Sequence, residues 1–279
     1  MTGHPTEDFP KLLRKFEQLI QRAKDIPLTD ENAWKAHGQL LLIKAWGHLA
    51  SVETLGRSAI KRGTSNGERV YVDHGSLAVL GRSAYETYVL FNFIFLTKVP
   101  ELQKFRHQVW RLSGLMSRAK LNRPKALPPK VLEQIEREAQ QIALLKDAIT
   151  ASPYFAALDD RTQKNVKKGE GVRLGTALID LAVKAGLPRQ YSADMYSHFC
   201  NYSHASSISA FQISETLNDG TSSIMARANI GFCCILLVQM IMAYTEFFEE
   251  IDAAVASDDE LADLLAMWLG MGQMLEGAY

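Results

Sequence analysis

The sequence predicts an all-α protein: a single irregular multi-helix bundle over residues 1–279. Three observations carry this. Apolar residues recur at helical spacing through most segments, proline and capping residues open those segments, and no strand alternation of useful length, Asn-Gly hairpin or internal repeat is read. No heptad persists over several turns, so the bundle is not a coiled coil.

The elements follow in order. Over 8–25, Phe9, Leu12, Leu13, Phe16, Leu19 and Ile20 form one apolar face. Thr29 reads as an N-cap, with Asp30 and Glu31 in the first turn of a helix reaching about Lys61. "KRGTSNGE" (61–68) reads as a solvated loop, part of an exposed stretch near 61–69. A third helix spans about Asp73 to Lys98. Pro100 opens a fourth to about Lys120, because proline suits the first helical turn. An exposed break near 121–130 ends at Pro128 and Pro129, which introduce a helix to about Thr150. Residues 151–173 read as an exposed, irregular, polar and mobile segment. Helices follow near 174–185, 189–206 and 219–254. The last opens at a capping box, Ser257 to Glu260.

Composition bounds the function classes. With 47% hydrophobic residues the chain can bury one large core or two small ones. Its three cysteines, Cys200, Cys233 and Cys234, cannot build a disulfide framework, and the N-terminus lacks an apolar signal core. Both point to a reduced, cytoplasmic protein. The apolar run 228–245 reads as a buried bundle helix, so no membrane partner is expected.

Net charge is zero but unevenly spread. Residues 98–130 hold nine Lys or Arg against Glu101, and no Lys or Arg follows Arg227, where nine acids lie. Such asymmetry fits basic and acidic faces that neutralise each other within the fold or across a dimer. It also fits weak, salt-sensitive RNA binding through Lys104, Arg106, Arg111, Arg118, Lys120, Arg123 and Lys125. Trp110 is the main aromatic residue there, so a stacking platform for single strands is not expected. The apolar C-terminal helix, with Leu261, Leu264, Leu265, Trp268, Leu269 and Met271, predicts a homo-oligomer.

Two stretches carry the chemistry. In "SLAVLGRSAYETYVLFNFIFL" (76–96) the only charges are Arg82 and Glu86, four apart on one face of a helix apolar almost all round. Burying them requires partners. "YSHFCNYSHASS" (196–207) supplies a polar stripe, since Asp194, Ser197, Asn201, His204 and Ser207 recur at spacings of three or four if the helix is continuous. His198 lies about 120° from His204 and cannot share an ion with it from one face. The expected centre therefore joins Arg82, Glu86 and His204 as catalytic candidates, with Tyr85, Tyr196, Ser197, Asn201 and Ser207 contacting any ligand. His37, Lys44 and His48 share a face of the second helix, read as solvated. No His-Glu-x-x-His, Glu-x-x-His, Cys-x-x-Cys, Walker-type loop or Gly-x-Ser-x-Gly elbow occurs, so no cofactor and no structural metal are expected.

These segments resemble the bacterial all-helical domain of unknown function 5677 family. Its members carry Arg-x-x-x-Glu in an apolar helix, a helix entering after Pro-Glu, and a later Tyr…Ser-x-x-x-His or Ser-His segment. Here these are Arg82 to Glu86, "VPELQKFRHQVW" from Val99, and Tyr196 to His204. The resemblance implies an all-α fold and a shared polar centre, with no established activity. A looser likeness is to the HEPN superfamily of helical ribonucleases and inactive relatives from toxin–antitoxin and phage-defence systems. There, arginine stabilises phosphate charge and a histidine four to six residues on moves the 2′-hydroxyl proton. This sequence departs from that pattern: the nearest arginine before His204 is Arg189, so Arg82 would act from another helix. The chain is thus expected to be a non-enzymatic binding or scaffold protein with a buried Arg/Glu/His centre. The alternatives are a metal-independent HEPN-like ribonuclease or defence effector, and a small-ligand binder with the same centre as its pocket floor.

Overall fold

The computed structural model describes residues 3–30, 32–58, 60–64, 67–121, 127–204, 206–219 and 221–277. The fold is all-α in class: thirteen α-helices and one two-stranded hairpin among these residues. The chain gathers into two compact units, residues 1–91 with 178–279, and residues 92–177.

The first unit opens with α1 (Pro5–Lys24) and α2 (Lys35–Arg57). Thr29 is not a cap: its backbone N–H donates to Asn32 Oδ1, and turns replace the expected first helical residues. The expected loop at 61–68 is instead an antiparallel pair, β1 (Ile60–Thr64) and β2 (Gly67–Tyr71), with Thr64 opposite Gly67. The sequence holds an Asn-Gly dipeptide, a strong short hairpin signal, at positions 66 and 67, but the flanking segments lack the apolar alternation that would mark strands.

Helix α3 (His74–Phe95) is started by Asp73, whose carboxylate accepts the Ser76 N–H at 3.0 Å. After the second unit come α8 (Leu178–Lys184), α9 (Arg189–Ser203), α10 (Ser207–Asp219), α11 (Ser222–Phe247), α12 (Asp252–Ala256) and α13 (Asp259–Gly277). Helix α8 starts later than expected because Leu174 and Gly175 have positive φ, 51° and 79°, which no right-handed helix admits. Helix α10 was not expected; the serine-rich joint conceals it.

Helix α11 is the spine of this unit. Sixteen of its 26 residues are buried, and it packs on α1, α2 and α13. By length and composition it is the one helix among the described residues able to cross a membrane, but most of its apolar stretch is buried in the unit. Helix α13 buries Leu261, Leu264 and Trp268 against α11 and α1, so those residues are covered within the chain.

Its cap is Asp258, not Ser257: Oδ1 accepts the Leu261 N–H at 3.0 Å. Ser257 donates back to Ala254 O, and Glu260 turns to Lys15. Lys15 Nζ lies 2.7 Å from Asp258 Oδ2 and 3.1 Å from Glu260 Oε2. This pairing raises the lysine pKa and lowers that of Asp258. Lys15→Ala is expected to lower stability by about 1 kcal/mol, and by less in high salt, because the pair is partly solvated. Urea midpoints at low and high salt check this.

The second unit holds α4 (Pro100–Ala119), α5 (Pro129–Thr150), α6 (Pro153–Ala156) and α7 (Asp160–Lys167). Phe105, Val109 and Leu112 of α4 pack on Leu145 and Ile149 of α5, with Phe155 and Val166 completing the core. The expected mobile segment 151–173 is therefore two short helices anchored by core side chains. Ser152 and Asp159 cap them, Asp159 accepting the Thr162 N–H at 2.9 Å.

Candidate functional site

Helix α3 buries Leu77, Ala84, Tyr85, Tyr88 and Val89. Arg82 and Glu86 fall on its flank. Their side chains are 19% and 38% exposed, so the pair is not buried as expected; it lies at the surface edge of the helix. Arg82 Nε donates to Glu86 Oε1 at 2.8 Å. The Tyr196 hydroxyl of α9 donates to the same oxygen at 3.0 Å, and the guanidinium stands over the Tyr196 ring at 5.4 Å. Arg82 Nη1 lies 2.9 Å from His204 Nε2. A guanidinium only donates, so His204 accepts through Nε2 and carries its proton on Nδ1. The Glu86 hydrogen bond raises the Arg82 pKa above its ordinary value. Burial first, then the Glu86 charge, raises that of the Tyr196 phenol.

Of the expected Ser197–Asn201–His204 stripe, His204 thus meets Arg82, while Tyr196 rather than Ser197 or Asn201 meets Glu86. Helix α9 drives Phe199 into the core, where it meets Phe232 of α11 edge-on at 5.4 Å. Residues two away from Phe199 on either side lie about 200° round the helix. Ser197 accordingly is exposed and Asn201 half-buried, and among the described residues the hydrogen bonds of Arg82 and Glu86 go to one another, Tyr196 and His204. The side facing α3 carries Tyr196, Cys200 and His204, with Cys200 close enough to act electrostatically on both Arg82 and Tyr196. The stripe is also broken. Helix α9 ends at Ser203, His204 is its exposed C-cap, and Ser206 caps α10 by accepting the Ser209 N–H at 3.3 Å. Ser207 is the exposed first residue of α10. Tyr85 is buried beneath the cluster, with its ring 5.5 Å from that of Tyr196 and its hydroxyl without a hydrogen-bond partner among the described residues. Burial raises its pKa. Tyr85 supports the site from below and does not line it.

The two histidines of the 196–207 stretch do differ. His198 turns inward, its ring 4.9 Å from Tyr202. Tyr202 in turn lies 5.5 Å from fully buried His74. Asn229 Nδ2 donates to the His74 carbonyl at 3.0 Å. Its Oδ1 makes no hydrogen bond of ordinary geometry, although it stands near enough to His198 to favour the protonated ring. Burial lowers the pKa of His74 and His198 and lifts that of Tyr202 to about 12. Tyr71 of β2 completes the cluster, its ring 5.8 Å from that of His74. Apart from His198 and Tyr202, its members come from segments with no common spacing, so the cluster was not expected from the sequence. On α2, burial first and then Lys44 lower the pKa of His48.

The basic residues lie in the second unit. Arg106 is turned inward: it donates to Phe93 O at 2.8 Å, covers the Phe93 ring at 4.0 Å, and has its pKa lowered by burial. Arg118 pairs with Glu138 and Lys120 with Glu170. Lys104 is exposed and Arg111 half-buried. Arg123 and Lys125 fall outside the described residues. Of the five described residues of the expected basic surface, two are thus paired with acids of their own unit and Arg106 is turned inward. Among the described residues no three His, Cys, Asp or Glu side chains converge as a metal would need.

Fold and site together define a helical protein with a surface Arg–Glu–Tyr–His cluster built where α9 crosses α3. The family model described as "Family of unknown function (DUF5677)" matches residues 66–221, more than half of the chain and all four cluster residues. The chain belongs to this family, as the resemblance of its two polar stretches implied. Comparison with curated proteins and with solved structures gave no match.

Proposed function

We propose that this chain is a non-enzymatic binding protein whose site is the Arg82–Glu86–Tyr196–His204 ledge. The observation that supports this is the 2.9 Å contact between Arg82 and the exposed His204. It occupies the Nε2 lone pair that a general base would use and leaves Nδ1–H as a donor. Glu86 already accepts from Arg82 and Tyr196. What the ledge offers outward is a pair of N–H donors on side chains held in place beforehand, a geometry suited to a carboxylate or phosphate.

One observation favours a second use. An arginine beside an exposed histidine is also the pair that metal-independent RNA cleavage needs, provided His204 releases Arg82 when substrate arrives. Two experiments separate these uses. In a titration with inorganic phosphate followed by nitrogen–proton NMR, the Arg82 Nε and His204 Nδ1 signals should shift saturably, and His204→Ala should remove the response at Arg82. No shift would overturn the proposal. Single-stranded RNA incubated with the protein and a chelator should stay intact. Products ending in 2′,3′-cyclic phosphate, lost in Arg82→Ala and His204→Ala, would establish cleavage instead.

A further inference from the structure

A cavity of ≈ 550 Å³ opens in the second unit between α7 and the loop that follows it. That is the size range of small-molecule sites. Its charged lining is asymmetric in a way that matters. Of its two carboxylates, Asp159 is spent capping α7, accepting the Thr162 N–H at 2.9 Å and the Thr162 hydroxyl at 2.6 Å. Glu170 is held by Lys120 at 3.1 Å. Its two guanidiniums, Arg161 and Arg173, are exposed and make no ion pair or hydrogen bond with the described residues. Asn165 and Thr176 add neutral polar groups to the wall.

The wall itself is fixed. The loop lies so close to α7 that a Cβ on Gly175 would stand 3.0 Å from Thr162 Oγ1, and one on Gly171 would stand 2.9 Å from the Val166 backbone nitrogen. Gly175 also has φ 79°, which side-chain-bearing residues rarely adopt. Glycine is therefore required at both places for the cavity to keep its shape.

We propose that this cavity binds a small sugar phosphate. Two unpaired guanidiniums on one cavity match the oxygens of a phosphate, which arginine engages in paired hydrogen bonds. Asn165 and Thr176 can meet ring hydroxyls. Among the described residues no aromatic ring lines the cavity, and the guanidiniums that could stack on a base are the groups a phosphate engages. The ligand is thus a hydroxylated phosphate without a base. The site shares no residue with the Arg82–His204 ledge, and the proposal does not rest on that ledge.

Calorimetric titration of the full chain with ribose 5-phosphate tests this. Saturable binding is expected, with ribose alone giving none and inorganic phosphate or adenosine monophosphate binding more weakly. The double variant Arg161→Ala, Arg173→Ala should weaken binding by about tenfold or more, while Arg82→Ala leaves it unchanged. Both arginines are exposed, so the double variant should keep the wild-type melting temperature; should it not fold, Arg173→Gln carries the same comparison. Absence of binding up to about 10 mM, unchanged affinity in the variants, or tighter binding of inorganic phosphate or the nucleotide would each overturn the proposal.

Discussion

Replacing Phe199 with alanine is expected to destabilise the protein by about 3–5 kcal/mol, the cost of emptying a buried aromatic position. Phe199 is fully buried and ties three helices at one point. It meets Phe232 of α11, and it packs on Gly81 of α3 so closely that a Cβ there would stand 3.1 Å from its ring. Its own helix carries Tyr196 and His204, so the cavity would free α9 to shift and loosen both contacts with α3. Urea unfolding should show the loss of stability, and the Arg82 side-chain NMR signal should broaden or move with it. A loss below about 1 kcal/mol, with the Arg82 signal unmoved, would mean that α9 is not anchored through this residue.

The second large effect is expected in acid. His74 and His198 are kept neutral by burial, each with its pKa below the ordinary 6.5. Once unfolded, both rings take up a proton near pH 6.5. Between that value and their lower folded values the unfolded chain binds more protons, so acidification favours unfolding. The contribution is fully present above pH 6.5 and is lost as pH falls below it. The two rings share Tyr202 as a neighbour, and the proximity of His74 further disfavours charge on His198; the Val72 carbonyl and then Asp73 at His74, and Asn229 at His198, only partly offset burial. The melting temperature should therefore fall from pH 7 to pH 5. His74→Phe, which keeps a ring between Tyr71 and Tyr202, should flatten that slope. An equal slope in the variant would assign acid sensitivity to other groups.

Much of the fold was legible because prolines mark it. Pro100 and Pro129 sit at the first turns of α4 and α5, where the missing N–H costs nothing, and both helices end within a residue of expectation. The unread parts share a different cause. Serine, threonine, asparagine and aspartate compete for backbone hydrogen bonds, and which one wins depends on packing. Asp258 took the capping role from Ser257 because Lys15 of α1 also holds it there. Ser206 opens α10, by accepting the Ser209 N–H, where no helix was expected. At the site, Arg82, Glu86 and His204 were identifiable as unusual charges and a polar cluster. Their exposure was not, since it depends on which way Phe199 turns α9. Tyr196 and Cys200 face Arg82 for that tertiary reason, while periodicity alone favoured Ser197 and Asn201. The His74–Asn229–His198 cluster left no trace in spacing, being assembled from distant segments.

Equilibrium urea unfolding of His204→Ala tests most directly whether the ledge is a surface site or an element of the core. His204 is exposed at the end of α9, and its removal leaves Arg82 still paired with Glu86. The stability should change by less than about 0.5 kcal/mol, the range of ordinary surface substitutions, while the response of Arg82 to phosphate disappears. A loss of about 1–3 kcal/mol, the cost of an unsatisfied buried partner, would show instead that His204 holds the helices together.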